Sequence, residues 1–188
     1  MKARRALLLL GANLGNRAAA LRRAVAGLNG LEGCRVLKAS RLYETAPVGP
    51  SDKPYLNQAV ELKTTRSAMG LLIEAKRLEA AAGRRPGIRW GARALDVDLL
   101  ALGTEKIRTA WLRVPHPTTV DRAFALAPLR DIAPAFKPGG RRNVRSLLAA
   151  MKPDPRIVKL WRNDRSNEAR LPKDSHDQHP ARPQAQGR

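Results

Sequence analysis

Residues 89–100 read Arg-Trp-Gly-Ala-Arg-Ala-Leu-Asp-Val-Asp-Leu-Leu, and they constrain the fold more than any other stretch of this 188-residue chain. Side chains alternate across a strand, so Asp96 and Asp98 share one face while Leu95, Val97 and Leu99 take the other. The apolar stripe demands a covering layer. The two carboxylates then converge where a buried strand meets a basic segment. Like charges that close repel, which points to a hard cation with a preference for oxygen between them. Mg²⁺ suits the pair, because it is commonly held by one or two carboxylates and completes its octahedron with water and substrate phosphates. The flanking arginines read as phosphate ligands. Taken alone, the pair also fits an exposed strand with a salt-bridged acidic face.

A chain of this length supports one domain with a real core, followed by a tail, and has no need of a second domain. Its single cysteine, Cys34, excludes an intrachain disulfide framework and a cysteine-rich zinc site, and reads as a small strand residue in a reducing compartment. The four leucines at 7–10 are too few for a membrane span or a secretory apolar segment. They read as a buried first strand, so a soluble, cytoplasmic protein without membrane contact is expected. The net charge of +20 raises the question of nucleic acid. Residues 152–188 hold nine Lys or Arg against five Asp or Glu, so the excess charge is spread along the domain and not gathered in an arm. With three Trp, two Tyr and two Phe, aromatic residues are too sparse for a base-stacking platform. The basicity suits a polyphosphate substrate, and nucleic acid is not an expected partner.

The pattern along the chain predicts a strand at 4–10, broken by the turn formers Gly-Ala-Asn-Leu-Gly-Asn at 11–16, and a helix over 17–28 capped by Asn16. A second strand is predicted within 36–43. The three prolines at 47, 50 and 54 mark a long loop of the kind that often carries function. A third strand over 56–64 alternates apolar and polar residues. A helix over 68–82, capped by Ser67 and stopped by Gly83, leads through the basic loop 83–94 to the aspartate strand. A short segment surrounds Ile107, and Val114-Pro115-His116-Pro117 forms a rigid turn. Helices follow at 122–129, closed by Pro128, and at 144–151. From about Asn163 the composition predicts disorder. The order strand, helix, strand, strand, helix, strand indicates an α+β fold: a ferredoxin-like antiparallel sheet with packed helices, in three α-β-α layers. The domain is expected to span 1–151, with a basic tail over 152–188.

Four separated segments, GANLGN, YETAPVGP with YLNQAV, GRRPGIRWGARALDVDLL and VPHPTTVDRAFALAPL, resemble in content, order and spacing the 6-hydroxymethyl-7,8-dihydropterin pyrophosphokinases of folate biosynthesis. The resemblance covers about residues 6–136. Its most specific part is the Arg-Trp-Gly-x-Arg-x-x-Asp-x-Asp run, in which Ala92 stands where proline is usual. The resemblance implies Mg²⁺-dependent transfer of the β,γ-pyrophosphoryl group of ATP to the hydroxymethyl oxygen of the reduced pterin, with AMP as the leaving product. It implies two Mg²⁺ ions held by Asp96 and Asp98. Arg84, Arg89 and Arg93 would approach the phosphates, with Arg84 and Arg93 joining the aspartates as catalytic residues. Glu79, Leu99, His116 and Arg122 would complete the nucleotide side.

The resemblance assigns the pterin to Thr45, Pro47, Val48, Tyr55, Asn57 and Phe124. Tyr55 and Phe124 would sandwich the flat ring, and Asn57 and Thr45 would read its edge. Trp90, from the basic loop, would fold over both substrates and exclude water. ATP and the reduced pterin are the expected partners, and the chain is expected to act as a monomer. The sequence departs from the family's pattern at Pro86 and Ala92 in the basic loop, at Trp111, Arg113 and Pro117 on the nucleotide side, and at Ala46. Two further readings stay open on the residues alone. One is a catalytically weakened homologue serving as a binding module, and the other a nucleic-acid-binding ferredoxin-like domain.

Overall fold

Nine consecutive residues, Arg4–Ala12, form strand β1, and from Ala6 onward every one of them is buried. That pattern requires cover on both faces, and the chain supplies it. A computed structural model describes residues 2–47, 53–83, 93–151 and 158–161. Helix α1 (Arg17–Gly30) and helix α2 (Ala68–Ala81) lie on one side of the sheet. Helix α3 (Ala123–Ile132) and helix α4 (Val144–Met151) lie on the other. The fold is therefore the expected α+β arrangement in three layers.

Between the helices run β2 (Cys34–Ala39), β3 (Tyr43–Thr45), β4 (Tyr55–Thr64), β5 (Asp96–Leu102) and the late strand β8 (Val158–Leu160). The sheet order is β5-β1-β4-β3-β8, with β2 also on β4, and every pairing is antiparallel. A separate hairpin joins β6 (Ile107–Arg108) to β7 (Arg113–Val114). Its residues Ile107, Leu112 and Val114 add to the α1/α2 core.

Several local predictions change on folding. The first strand runs two residues past Leu10, because Gly11 and Ala12 still pair with Asn57 and Leu56 on β4. The predicted single strand over 36–43 is two strands, interrupted at Ser40. There the Ser40 hydroxyl accepts from the Ala59 backbone N–H and its carbonyl accepts from Gln58 Nε2, so side-chain bonds replace the missing ladder. The alternation read in β4 suggests one wet face, yet Asn57, Gln58, Glu61 and Thr64 are all buried. Each has a partner, such as Arg5 for Glu61, which makes the burial tolerable.

Helix α3 does not stop at Pro128 but continues through it to Ile132. The proline removes one N–H donor, and the burial of Leu126, Leu129 and Ile132 in the α3/α4 core outweighs that loss. Asn16 and Ser67 cap α1 and α2 as predicted, accepting from Ala19 and Gly70 backbone N–H groups at 3.0 Å. Strand β8 falls within the stretch read as tail. It pairs with β3 residue for residue, and Trp161 then donates its backbone N–H to Leu42. No helix among the described residues is long and apolar enough to cross a membrane.

Candidate functional site

The sheet register lines up the side chains that matter. Gly11 of β1 stands opposite Asp96 on one side and Asn57 on the other, and Asn57 in turn stands opposite Tyr43. Period-two alternation puts Leu9, Tyr55, Thr45 and Asp98 on the same face, the one covered by α3. A pocket of about 230 Å³ opens there. Leu9 and Gly11 make its floor, and Thr45, Ala46, Tyr55 and Asn57 line one end. Arg93, Asp96 and Asp98 line the other, with Arg122 and Phe124 at the start of α3 over both. One end is apolar with amide and hydroxyl groups, and the other is charged.

Gly11 is needed for this shape. A Cβ built on it comes 3.2 Å from Asn57 Oδ1 and 3.9 Å from Tyr55, into the space the pocket occupies. Isolated glycine in a strand marks a close approach of this kind, a signal hidden in the sequence because Gly11 read there as the first residue of a turn. Asn57 is buried, and its Nδ2 donates to Thr45 Oγ1 at 2.9 Å. That bond fixes the amide and turns its oxygen toward the space over Gly11.

At the charged end, Asp96 Oδ2 accepts from Arg93 Nη1 at 2.7 Å. The backbone of Arg93 is itself held: its N–H donates to Asn13 Oδ1, and its carbonyl accepts from the Asn13 N–H. The turn after β1 thus anchors the segment entering β5, a role the motif GANLGN did not disclose by itself. Burial, and then the charge of Asp96, push the Asp98 carboxyl up to about 6, while Lys76 and Arg122 pull the other way. The guanidinium of Arg122 lies 5.4 Å from the centre of the Phe124 ring. Burial and then Arg122 lower the His116 imidazole below its ordinary value, against an opposing effect of Asp96. That favours the neutral ring, whose Nδ1 lies 3.3 Å from Thr118 Oγ1.

Of the residues singled out from sequence, Thr45, Tyr55, Asn57, Arg93, Asp96, Asp98, Arg122 and Phe124 line this one pocket. Glu79 does not line it but lies buried behind it: Oε1 accepts the Val97 backbone N–H at 2.9 Å, and Lys76 bonds both carboxylate oxygens. Leu99 points to the opposite face, into the core beneath α1 and α2, because it is one residue out of phase with Asp98. His116 is not among the residues lining the pocket, although the charges of Arg122 and Asp96 act on it, and Pro47 is exposed. Val48, Arg84, Pro86, Arg89, Trp90 and Ala92 lie outside the described residues. Leu9, Gly11 and Ala46 join the lining without having been named as substrate contacts. Trp111, a departure on the nucleotide side, is 83 % exposed on the hairpin.

Two hard oxygen donors on adjacent same-face positions, one of them disfavoured as an anion by burial and then by its neighbour, fit a divalent cation. No cluster of three or more His, Cys, Asp or Glu that could hold a metal ion occurs among the described residues.

A family model described as 7,8-dihydro-6-hydroxymethylpterin-pyrophosphokinase matches residues 7–134. A Bacillus subtilis protein named 2-amino-4-hydroxy-6-hydroxymethyldihydropteridine pyrophosphokinase is 38 % identical over 158 residues, spanning 84 % of this chain and 90 % of its own. A Methylorubrum extorquens protein of the same name is 41 % identical over 150 residues, spanning 79 % of this chain and 94 % of its own. A solved Plasmodium falciparum HPPK-DHPS wild type with pterin and p-hydroxybenzoate aligns over 80 % of this chain at a TM-score of 0.62 and 17 % identity. This chain spans 43 % of that one, and the likeness bears on the fold.

Proposed function

The chain belongs to the 7,8-dihydro-6-hydroxymethylpterin-pyrophosphokinase family, and from that premise we propose how the pocket described above performs the family's reaction. The chain is an ATP-dependent diphosphotransferase of folate biosynthesis. It moves the β,γ-pyrophosphoryl group of ATP to the hydroxymethyl oxygen of 6-hydroxymethyl-7,8-dihydropterin. The oxygen attacks the β-phosphorus, the bond to the α,β-bridging oxygen breaks, and AMP leaves. The readings as an interaction module or a nucleic-acid-binding domain are not favoured.

One observation carries the assignment of sites: a single pocket has an amide-and-aromatic end and a carboxylate-and-guanidinium end, joined over Gly11. The pterin lies at the first end. Tyr55 and Phe124 flank the ring, and Asn57, with its amide fixed by Thr45, reads the ring edge. This end aims the hydroxymethyl group at the charged end. The ATP phosphates lie there, against Arg93 and Arg122, whose planar forks match phosphate oxygens. Such transfers demand alignment and charge neutralisation more than covalent chemistry by the protein.

Asp96 and Asp98 would hold Mg²⁺. Bound there, Mg²⁺ would neutralise phosphate charge and render the pterin hydroxyl more acidic. Arg93, bonded to Asp96, keeps that carboxylate turned into the pocket. Arg84, Arg89 and Trp90 are assigned to the same nucleotide side and Val48 to the pterin side, all from their positions in the family motif. His116 and Glu79 remain on the nucleotide side, the latter through its hold on β5. The chain is proposed to act as a monomer. The cytoplasm is the proposed compartment. Residues 1–151 form the catalytic unit, with β8 added to its sheet from beyond.

The test is turnover of labelled ATP with Mg²⁺ and the reduced pterin, followed by product separation. AMP and pterin diphosphate are expected in equal amounts, and their absence with the full chain would overturn the reading. Asp96→Ala and Asp98→Ala should each lower turnover by at least ~100-fold with little loss of pterin binding. Near-normal turnover in either variant would contradict the metal assignment.

A further inference from the structure

Arg17 opens α1 on the side of the sheet away from the pocket, yet its contacts lead to the pocket's pterin end. One guanidinium nitrogen donates to the Pro54 carbonyl at 2.8 Å, and the other donates to Glu44 Oε2 at 2.8 Å. The second oxygen of Glu44, Oε1, lies 3.0 Å from Lys159 Nζ on β8. The arrangement is largely shielded, with the side chains of Arg17 and Glu44 only 22 % and 16 % exposed. Burial alone would raise the Glu44 carboxyl, but hydrogen bonds from Lys159 and Arg17 hold it below its ordinary value.

The positions of these contacts matter more than their number. Glu44 and Pro54 immediately precede Thr45 and Tyr55, which face each other as the last pair of the β3–β4 ladder. Both Thr45 and Tyr55 line the pocket. Three residues from α1, β3 and β8 therefore grip the two strands one residue before each makes its contribution. Glu44 alternates with Tyr43 and Thr45, so the grip acts from behind and touches no substrate.

We infer that Arg17, Glu44 and Lys159 form a clasp that sets the spacing of Thr45 and Tyr55, and are positioning residues selective for the pterin. The inference rests on the reading that this end of the pocket receives the heterocycle. The clasp's partners lie on β3, on β8 and just before β4, and the phosphate-side groups Arg93, Asp96 and Asp98 lie on or before β5 across the sheet. Loss of the clasp therefore widens or misaligns the heterocycle end while leaving the phosphate end as it was. A purely structural ion pair would affect both substrates alike.

The experiment is steady-state kinetics on full-length Arg17→Met, Glu44→Gln and Lys159→Met, varying each substrate separately. Arg17→Met and Glu44→Gln should raise KM for the pterin by about fivefold, with kcat and KM for ATP within about twofold of the unaltered chain. Lys159→Met, at a side chain 59 % exposed, should give the same selective shift at about twofold. Arg17→Lys should recover part of the loss, since it keeps the charge and a donor. An unchanged pterin KM in both Glu44→Gln and Lys159→Met overturns the clasp even if Arg17→Met fails to fold. An equal rise in both KM values overturns its selectivity. If the unaltered chain forms no AMP, the functional reading itself fails. Normal turnover with unshifted variants sinks only the clasp.

Discussion

Asp98 carries two demands that oppose each other. In the folded chain burial and Asp96 push its carboxyl up to about 6, against 3.8 for an ordinary aspartate. A carboxyl raised on folding opposes folding once it ionises, so the penalty is absent near pH 4 and fully present above about pH 6. Asp98→Asn keeps the shape without the charge. In metal-free protein at pH 7.5 it should raise the unfolding free energy by roughly 1–3 kcal/mol, at about 1.4 kcal/mol per pH unit. The gain should vanish near pH 4, and turnover should be lost at either pH. Chemical denaturation in the presence of a chelator checks this; equal stability of the two proteins at pH 7.5 would refute it. At this scale the sequence was most legible. Two aspartates two positions apart in an apolar run share a face by geometry alone, and the fold puts them in the pocket. Leu99 shows the same rule from the other side, since its phase sends it into the core.

At the scale of elements, the strand that bears the aspartates lies at an edge of the sheet and is braced by a helix. Glu79 of α2 accepts the N–H of Val97, the residue between the two aspartates, and Lys76 neutralises the carboxylate. Glu79→Ala should leave that buried N–H unpaired and lower stability by about 2 kcal/mol. Glu79→Gln retains a carbonyl acceptor and should cost about half as much, with both values read from denaturant unfolding. Equal losses would show that the hydrogen bond to Val97 is not what matters. Sequence periodicity disclosed α2 but could not say what Glu79 would meet, because Lys76 and Arg77 stood nearer in sequence. The same limit explains Pro128, which local rules treat as a stop. Tertiary burial of Leu129 and Ile132 carries α3 past it. It explains β8 as well, since three residues in a polar stretch acquire strand structure only from the open edge of β3.

Across the whole molecule the net charge of +20 makes acid the vulnerable side. Glu44 and Asp131 are held below their ordinary values despite burial, the first by Lys159 and Arg17, the second by Arg41 and Tyr43. A carboxyl lowered on folding stabilises fully above its unfolded value and loses that contribution as pH falls through the folded one. Stability should therefore drop steeply below about pH 4, as protonation removes these links and adds to a surplus of positive charge. Asp131→Asn should reduce the acid dependence, most visibly between the ordinary aspartate value of 3.8 and lower pH, in thermal melts across that range. A melt profile parallel to that of the unaltered chain would count against it.

What the amino-acid sequence determined by itself is whatever rests on near neighbours: the caps at Asn16 and Ser67, the strand-helix order, and the shared face of Asp96 and Asp98. These follow from periods and backbone chemistry that act over a few residues. Only the tertiary structure decided that Gly11 floors a pocket, that Asn13 anchors Arg93, and that Arg17 reaches Glu44 and Pro54. Those contacts join residues 27 to 80 positions apart, and they exist only because antiparallel register brings distant strands into one row.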